Sequence, residues 1–215
     1  MKRLRSHVLA GVILFVCGCQ GIYYGTMEKL GYHKREMLVD RVQDARDAQQ
    51  EAKEQFQSAL EQFAALVNFD GGQLEATYNK LKSVYERSEA KARAVTKRID
   101  DVEDVGEALF KEWAGELEEY TNERLKERSE QKLRETRLRY ARLIGAMRGA
   151  EMKVEPVLAA FHDQVLFLKH NLNAQAVASL QDELISVKTN VAALIEEMEE
   201  SIDEANAFID AMDEE

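Results

Sequence analysis

The chain is short of the residues that most proteins use to staple, bend or break their structure. It has two cysteines, Cys17 and Cys19, both within the first nineteen residues. No disulfide can therefore form within the rest of the chain, and its stability has to come from packing. There is one proline, Pro156, and eleven glycines among 215 residues. So few breakers exclude a loop-rich all-β fold and leave room for long helices. Base is scarce as well. With 29 Lys and Arg against 40 Asp and Glu the net charge is −11, which repels phosphate and argues against a nucleic-acid partner. The longest apolar run spans residues 8–16. A membrane-spanning helix needs about 20 apolar residues.

That short run has a meaning of its own. Lys2, Arg3 and Arg5 precede it without an acid, and small residues with cysteine follow it. A basic start, a short apolar stretch and a small-residue exit are the features of a secretory signal peptide. Val16-Cys17-Gly18-Cys19 resembles a bacterial lipobox: an aliphatic residue, a free position, a small residue, then the lipid-accepting thiol. Cys19 is the expected lipidation site, because Cys17 would put Val16 where a small residue is wanted. Gln20 follows in place of the aspartate that retains enterobacterial lipoproteins in the inner membrane, so an outer-membrane anchor facing the periplasm is expected. The chain then divides into 1–18, signal peptide; 19–32, lipidated tether; and 33–215, helical domain.

Within that domain the apolar residues recur by alternating threes and fours. The first series is Leu38, Val42, Ala45, Gln49, Ala52, Phe56, Ala59, Phe63 and Leu66, with one polar member. The second runs from Leu74 through Tyr85, Ile99 and Gly106 to Trp113, the third from Leu133 through Tyr140 and Met147 to Phe161, and the fourth from Val177 to Met198. Four runs at a 3.5-residue period predict an all-α fold, an elongated antiparallel up-down-up-down four-helix bundle of coiled-coil type. Breaks are expected at residues 68–72, at Thr121-Asn122 and at residues 169–173, where turn-forming residues cluster. Pro156 predicts a kink in the third helix. Charge supports the arrangement. Residues 100–119 hold nine acids and one base, residues 123–148 nine bases and four acids, and residues 182–215 twelve acids and one base. Short connections would put the basic block between the two acidic ones, so Arg134, Arg137, Arg139 and Arg142 are expected to pair there rather than bind an external anion.

Motifs for chemistry are missing. A di-iron bundle uses Glu-x-x-His, and none of His33, His162 and His170 has Glu three residues before it. Cys-x-x-Cys-His, a phosphate-cradling glycine loop, G-x-S-x-G and H-E-x-x-H are not found either. No catalytic residue, metal site or cofactor is expected. Tyr78, Tyr85, Trp113, Tyr120 and Tyr140 lie on the apolar stripes and are read as core. The sharper expectation concerns two loops that the topology brings to one end. Asn68, Phe69 and Asp70 would lie near Lys169, His170, Asn171 and Asn173, forming a membrane-distal tip for a partner.

Five stretches carry a family resemblance: Met27-Glu28-Lys29, His33-Lys34-Arg35, Leu38-Val39-Asp40-Arg41-Val42, Val67-Asn68-Phe69-Asp70-Gly71-Gly72 and Leu168-Lys169-His170-Asn171-Leu172-Asn173. Over about residues 23–212 the chain resembles a family of uncharacterised proteobacterial coiled-coil proteins, filed as a domain of unknown function and often predicted to be lipoproteins. The resemblance implies no activity and no catalytic residue. The expected function is a non-enzymatic, lipid-anchored periplasmic rod serving as envelope scaffold, spacer or adaptor. Its partners would be the membrane, through the lipid, and an envelope protein, with a homo-oligomer also allowed. The alternative is a bundle holding an apolar molecule between its helices.

Overall fold

The computed structural model describes residues 34–67, 74–171 and 174–214, and among these no residue is in a strand. The predicted signal peptide, Cys19 and the tether lie outside the described residues. Four helices account for nearly all of the rest: α1 Lys34–Val67, α2 Leu74–Glu116, α3 Glu123–His170 and α4 Ala174–Asp213. A 3₁₀ turn, Leu117–Glu119, extends α2. At 1.5 Å per residue the 48 residues of α3 span about 72 Å.

The helices form where the spacing of apolar residues says they should, because each stripe finds a partner to bury against. In α1 Leu38, Val42, Ala45, Gln49, Ala52, Phe56, Ala59 and Phe63 are all buried. The stripes of α2, α3 and α4 join them in one core that runs from Met37 to Met212 in sequence. Fully burying a side chain such as Phe56 or Leu143 contributes about 1.5–3 kcal/mol. Tyr120 departs from the expectation and is 41 % exposed. α2 ends at Glu116 and the chain at Tyr120 is extended, so its ring no longer follows the stripe.

Contacts between helices follow a consistent order. From α1 to α2, Lys34 pairs with Glu112 at 2.7 Å, Asp44 with Arg98 at 3.1 Å and Glu51 with Lys91. From α1 to α4, the Arg35 guanidinium donates to the Met212 carbonyl, Arg46 to Asn206, and Ser201 Oγ to Gln49 Oε1 at 2.9 Å. From α2 to α3, Trp113 Nε1 donates to Ser129 Oγ at 2.8 Å and Arg148 to Glu103. In each pair of helices the residue numbers rise on one and fall on the other.

The core also contains Gln49, Ser88, Thr136, Gln164 and Ser201. Ser88 donates to the Val84 carbonyl one turn back and accepts from Gln55 Nε2. Gln49 Nε2 and Thr136 Oγ1 have no hydrogen-bond partner among the described residues. Each such group costs about 1–3 kcal/mol.

α3 runs through Pro156 without a break. The ring sits on the exposed side of the helix, where the lost hydrogen bond leaves a carbonyl that water can satisfy. Among the described residues, no helix is long and apolar enough to cross a membrane.

Candidate functional site

Of the expected tip, Asn68, Phe69, Asp70 and Asn173 lie outside the described residues. Lys169 and His170 belong to the last turn of α3 and not to a loop. The helix runs two residues into the expected break and ends within it at His170, because Leu168 continues the buried stripe and no glycine or proline intervenes. Asn171 closes it. Its backbone N–H donates to the Leu168 carbonyl at 3.2 Å and its Nδ2 to the Phe167 carbonyl at 3.0 Å. These bonds satisfy carbonyls that a helix end otherwise leaves orphaned, and the two basic residues beside them suit the negative end of the helix dipole. Asn171 therefore does local capping work. Lys169 and His170 are exposed.

One turn before that cap an open groove of about 730 Å³ lies between α3 and α4. Phe167, Leu180 and Val187 give it an apolar lining, and Asp163 and Glu183 add acid. Sequence reasoning did not find it. The signal was present in Phe167, an apolar residue off the core stripe that is exposed. Close by, the Tyr85 and His162 rings lie with centroids 5.4 Å apart. Burial pushes the Tyr85 hydroxyl pKa up, and Glu89 and Glu155 push it the same way.

The other cluster lies where α2 passes into α3. Asn122 caps α3, accepting from Leu125 N at 3.3 Å, as expected of the Thr121-Asn122 break. Phe110, Leu117 and Leu133 form a small core of their own, with Trp113 and Tyr140 packed against it. Tyr140 joins this core to the main one. Its ring meets Phe110 edge-on at 5.1 Å and Phe208 at 6.4 Å, and its hydroxyl reaches the Val102 carbonyl at 3.4 Å. Gly106 makes room for it, since a Cβ there would meet the Tyr140 ring at 2.5 Å. The space around Tyr140 is thus filled by neighbouring protein.

Charged side chains link α2 and its 3₁₀ extension to α3 at Arg148 and Lys126. Arg148 collects Asp100 and Glu103 from α2 and Glu151 from its own helix. Its hydrogen bond to Glu103 contributes most to raising its pKa above the ordinary arginine value. Lys126 reaches Glu118 at 3.6 Å. Arg134, however, pairs within α3 with Glu130, and Arg137 donates to the Phe110 carbonyl with its guanidinium 5.5 Å from that ring. Arg142 is exposed. Among the described residues no group of three or more His, Cys, Asp or Glu is arranged to hold a metal ion.

No curated protein and no solved structure matches the chain. A family model does, across residues 23–212, nearly the whole helical part and the stretch leading into it. The chain belongs to that family, described as protein of unknown function (DUF2959).

Proposed function

We propose that the chain is an elongated, antiparallel up-down-up-down four-helix bundle acting without catalysis as a lipid-anchored spacer, scaffold or adaptor of the cell envelope. The observation that carries this reading is one continuous heptad core shared by all four helices, with inter-helix pairs in opposite order along them. Such packing makes a stiff body as long as its helices, about 60–70 Å, and length is what a spacer supplies.

In this reading residues 1–18 are removed and Cys19 carries the acyl chains. The tether 19–32 enters α1 at Lys34, which pairs with Glu112 near the end of α2. The lipid would therefore hold the α2–α3 end close to the outer membrane and turn the C-termini of α1 and α3 toward the periplasm. An envelope protein would meet the chain there. The competing reading, an apolar ligand held between helices, draws on the α3–α4 groove alone. That groove is open to solvent, whereas ligand sites bury about 70–90 % of what they hold.

The test is Cys19→Ala in the full chain. Cell fractionation should find the wild type in the membrane and the variant released as a folded, helical, soluble protein. A variant that stays in the membrane fraction after a salt wash would sink the anchor. Pull-down through a C-terminal tag after crosslinking in intact cells addresses the adaptor role, and recovery of no envelope protein would count against it.

A further inference from the structure

α3 carries a second apolar stripe, opposite the one that faces the core. Leu143, Met147, Ala150, Val154 and Val157 are buried. Half a turn away, Leu138, Ala141, Gly145, Met152, Pro156 and Ala159 are all exposed, and they recur by the same threes, fours and sevens. Leu138 is 67 % and Met152 72 % exposed, and nothing lies within 4 Å of where a Gly145 Cβ would stand. The outward face of a solvated helix is ordinarily charged or polar. This one is apolar in its middle, and the charges that directly flank the apolar part differ in sign, with Glu127 and His170 one heptad further out. Arg134 and Arg142 are exposed on its first half, Glu155 and Asp163 on its second. Arg148, between them, is drawn aside to the α2 acids.

We propose that this face binds a second copy of the chain, with the two α3 helices antiparallel about a two-fold axis passing between Arg148 and Gly149. That single operation sets Arg134 opposite Asp163, Leu138 opposite Ala159, Ala141 opposite Pro156 and Gly145 opposite Met152. Opposite charges meet at both ends, and a large side chain meets a small one at the positions that must interlock. A parallel pairing would set Arg134 on Arg134 and Met152 on Met152. An anionic membrane would attract the arginine half and repel the carboxylate half. The self-complementary charge is what selects a second copy. The proposal holds whether or not Cys19 carries a lipid.

A photo-crosslinking amino acid at Met152 of the full chain, irradiated in cells, tests it directly. A homodimer crosslinked to residues around Gly145 is expected, and crosslinks only to lipid or to another protein would overturn it. Sedimentation of the purified full chain should then give a dimer for the wild type. Leu138→Glu with Met152→Glu should give a monomer of unchanged far-ultraviolet helicity. A wild type that stays monomeric, or a double variant that stays dimeric, would overturn the proposal as well. Arg134→Glu should weaken dimerisation about a hundredfold, roughly tenfold for each of the two symmetry-related charge pairs lost. Adding Asp163→Arg to it should restore the affinity, which a merely structural role for Arg134 would not do.

Discussion

In the half of the bundle that leads from the α2–α3 turn to the middle of α3, polar side chains reach across helices: Trp113 to Ser129, Arg137 to the Phe110 carbonyl, Tyr140 to the Val102 carbonyl and, at mid-helix, Arg148 to Asp100 and Glu103. Toward the other end, where α3 stops, the joins are aromatic. Phe63 of α1 meets Phe161 of α3 edge-on at 6.4 Å, Tyr85 lies against His162, and an open groove separates α3 from α4. The first set of joins is made by directional bonds at specific partners, the second by buried rings. Directional bonds fix which helices are neighbours and in what register, whereas buried area supplies most of the stability and tolerates imperfect fit.

The largest effect should come from the aromatic end. Phe63 is fully buried and touches both the core and Phe161. Phe63→Ala removes the ring and leaves a cavity, for a loss of about 3–5 kcal/mol in unfolding free energy by urea titration. A loss below about 1 kcal/mol would mean that the groove end is already loosely packed, and the contrast between the ends would change character.

Gly106 probes the other end, by forcing apart a pair that fits only without a Cβ. Gly106→Ala should displace the Tyr140 ring and weaken its contacts with Phe110 and Phe208. Overpacking of this kind costs about 1–3 kcal/mol, and the gain in helix propensity returns roughly 1 kcal/mol of it. A net loss of up to about 2 kcal/mol is expected, with an altered near-ultraviolet tyrosine signal. A raised stability with an unaltered tyrosine signal would show that Tyr140 swings aside freely.

These two positions also mark how far the fold could be read from the chain. The period-3.5 stripes named the buried residues of α1 almost one for one, including Gln49, because burial on a long helix depends on angular position and hardly on residue type. Gly106 stood on the second stripe too, but its reason, the close approach of Tyr140 from α3, depends on which helices are neighbours and at what height. Local signals failed at ends. Tyr120 was read as core, though the chain leaves α2 at Glu116, and Lys169 and His170 were read as loop although Leu168 keeps α3 going. The candidate site was the least legible part. A groove and an outward stripe are made by what does not cover them, and no spacing rule within one helix reports that. Leu138, Met152 and Phe167 announced themselves only as apolar residues outside the core rhythm.

The smallest effect, and the one that best separates the ends, is titration of their tyrosines. The Tyr140 hydroxyl is raised well above the ordinary value of 10.0, chiefly by burial, then by Glu103 and Glu107, with Arg148 opposing. Tyr85 is raised too, again chiefly by burial. A group whose folded pKa is raised contributes stability that is complete below its unfolded pKa and is lost as pH climbs toward the folded one. Stability should therefore be level through pH 9 as far as Tyr140 is concerned, then fall above about pH 10, where the unfolded chain ionises and the folded chain does not. The limit is about 1.4 kcal/mol per pH unit for one proton. The ring is partly exposed and solvent screens its neighbours, so about half of that is expected. Tyr140→Phe should lose about 0.5 kcal/mol at pH 8, for the long bond to the Val102 carbonyl, and gain on the wild type above pH 10. Tyr85→Phe, toward the other end, should flatten the same slope less, because both hydroxyls face carboxylates of the neighbouring helix but the Tyr140 hydroxyl is the more strongly raised. Urea titrations at pH 8, 10 and 10.5 measure all three proteins, and equal slopes for Tyr140→Phe and the wild type would mean that the hydroxyl is solvated and the directional end is looser than its bonds imply.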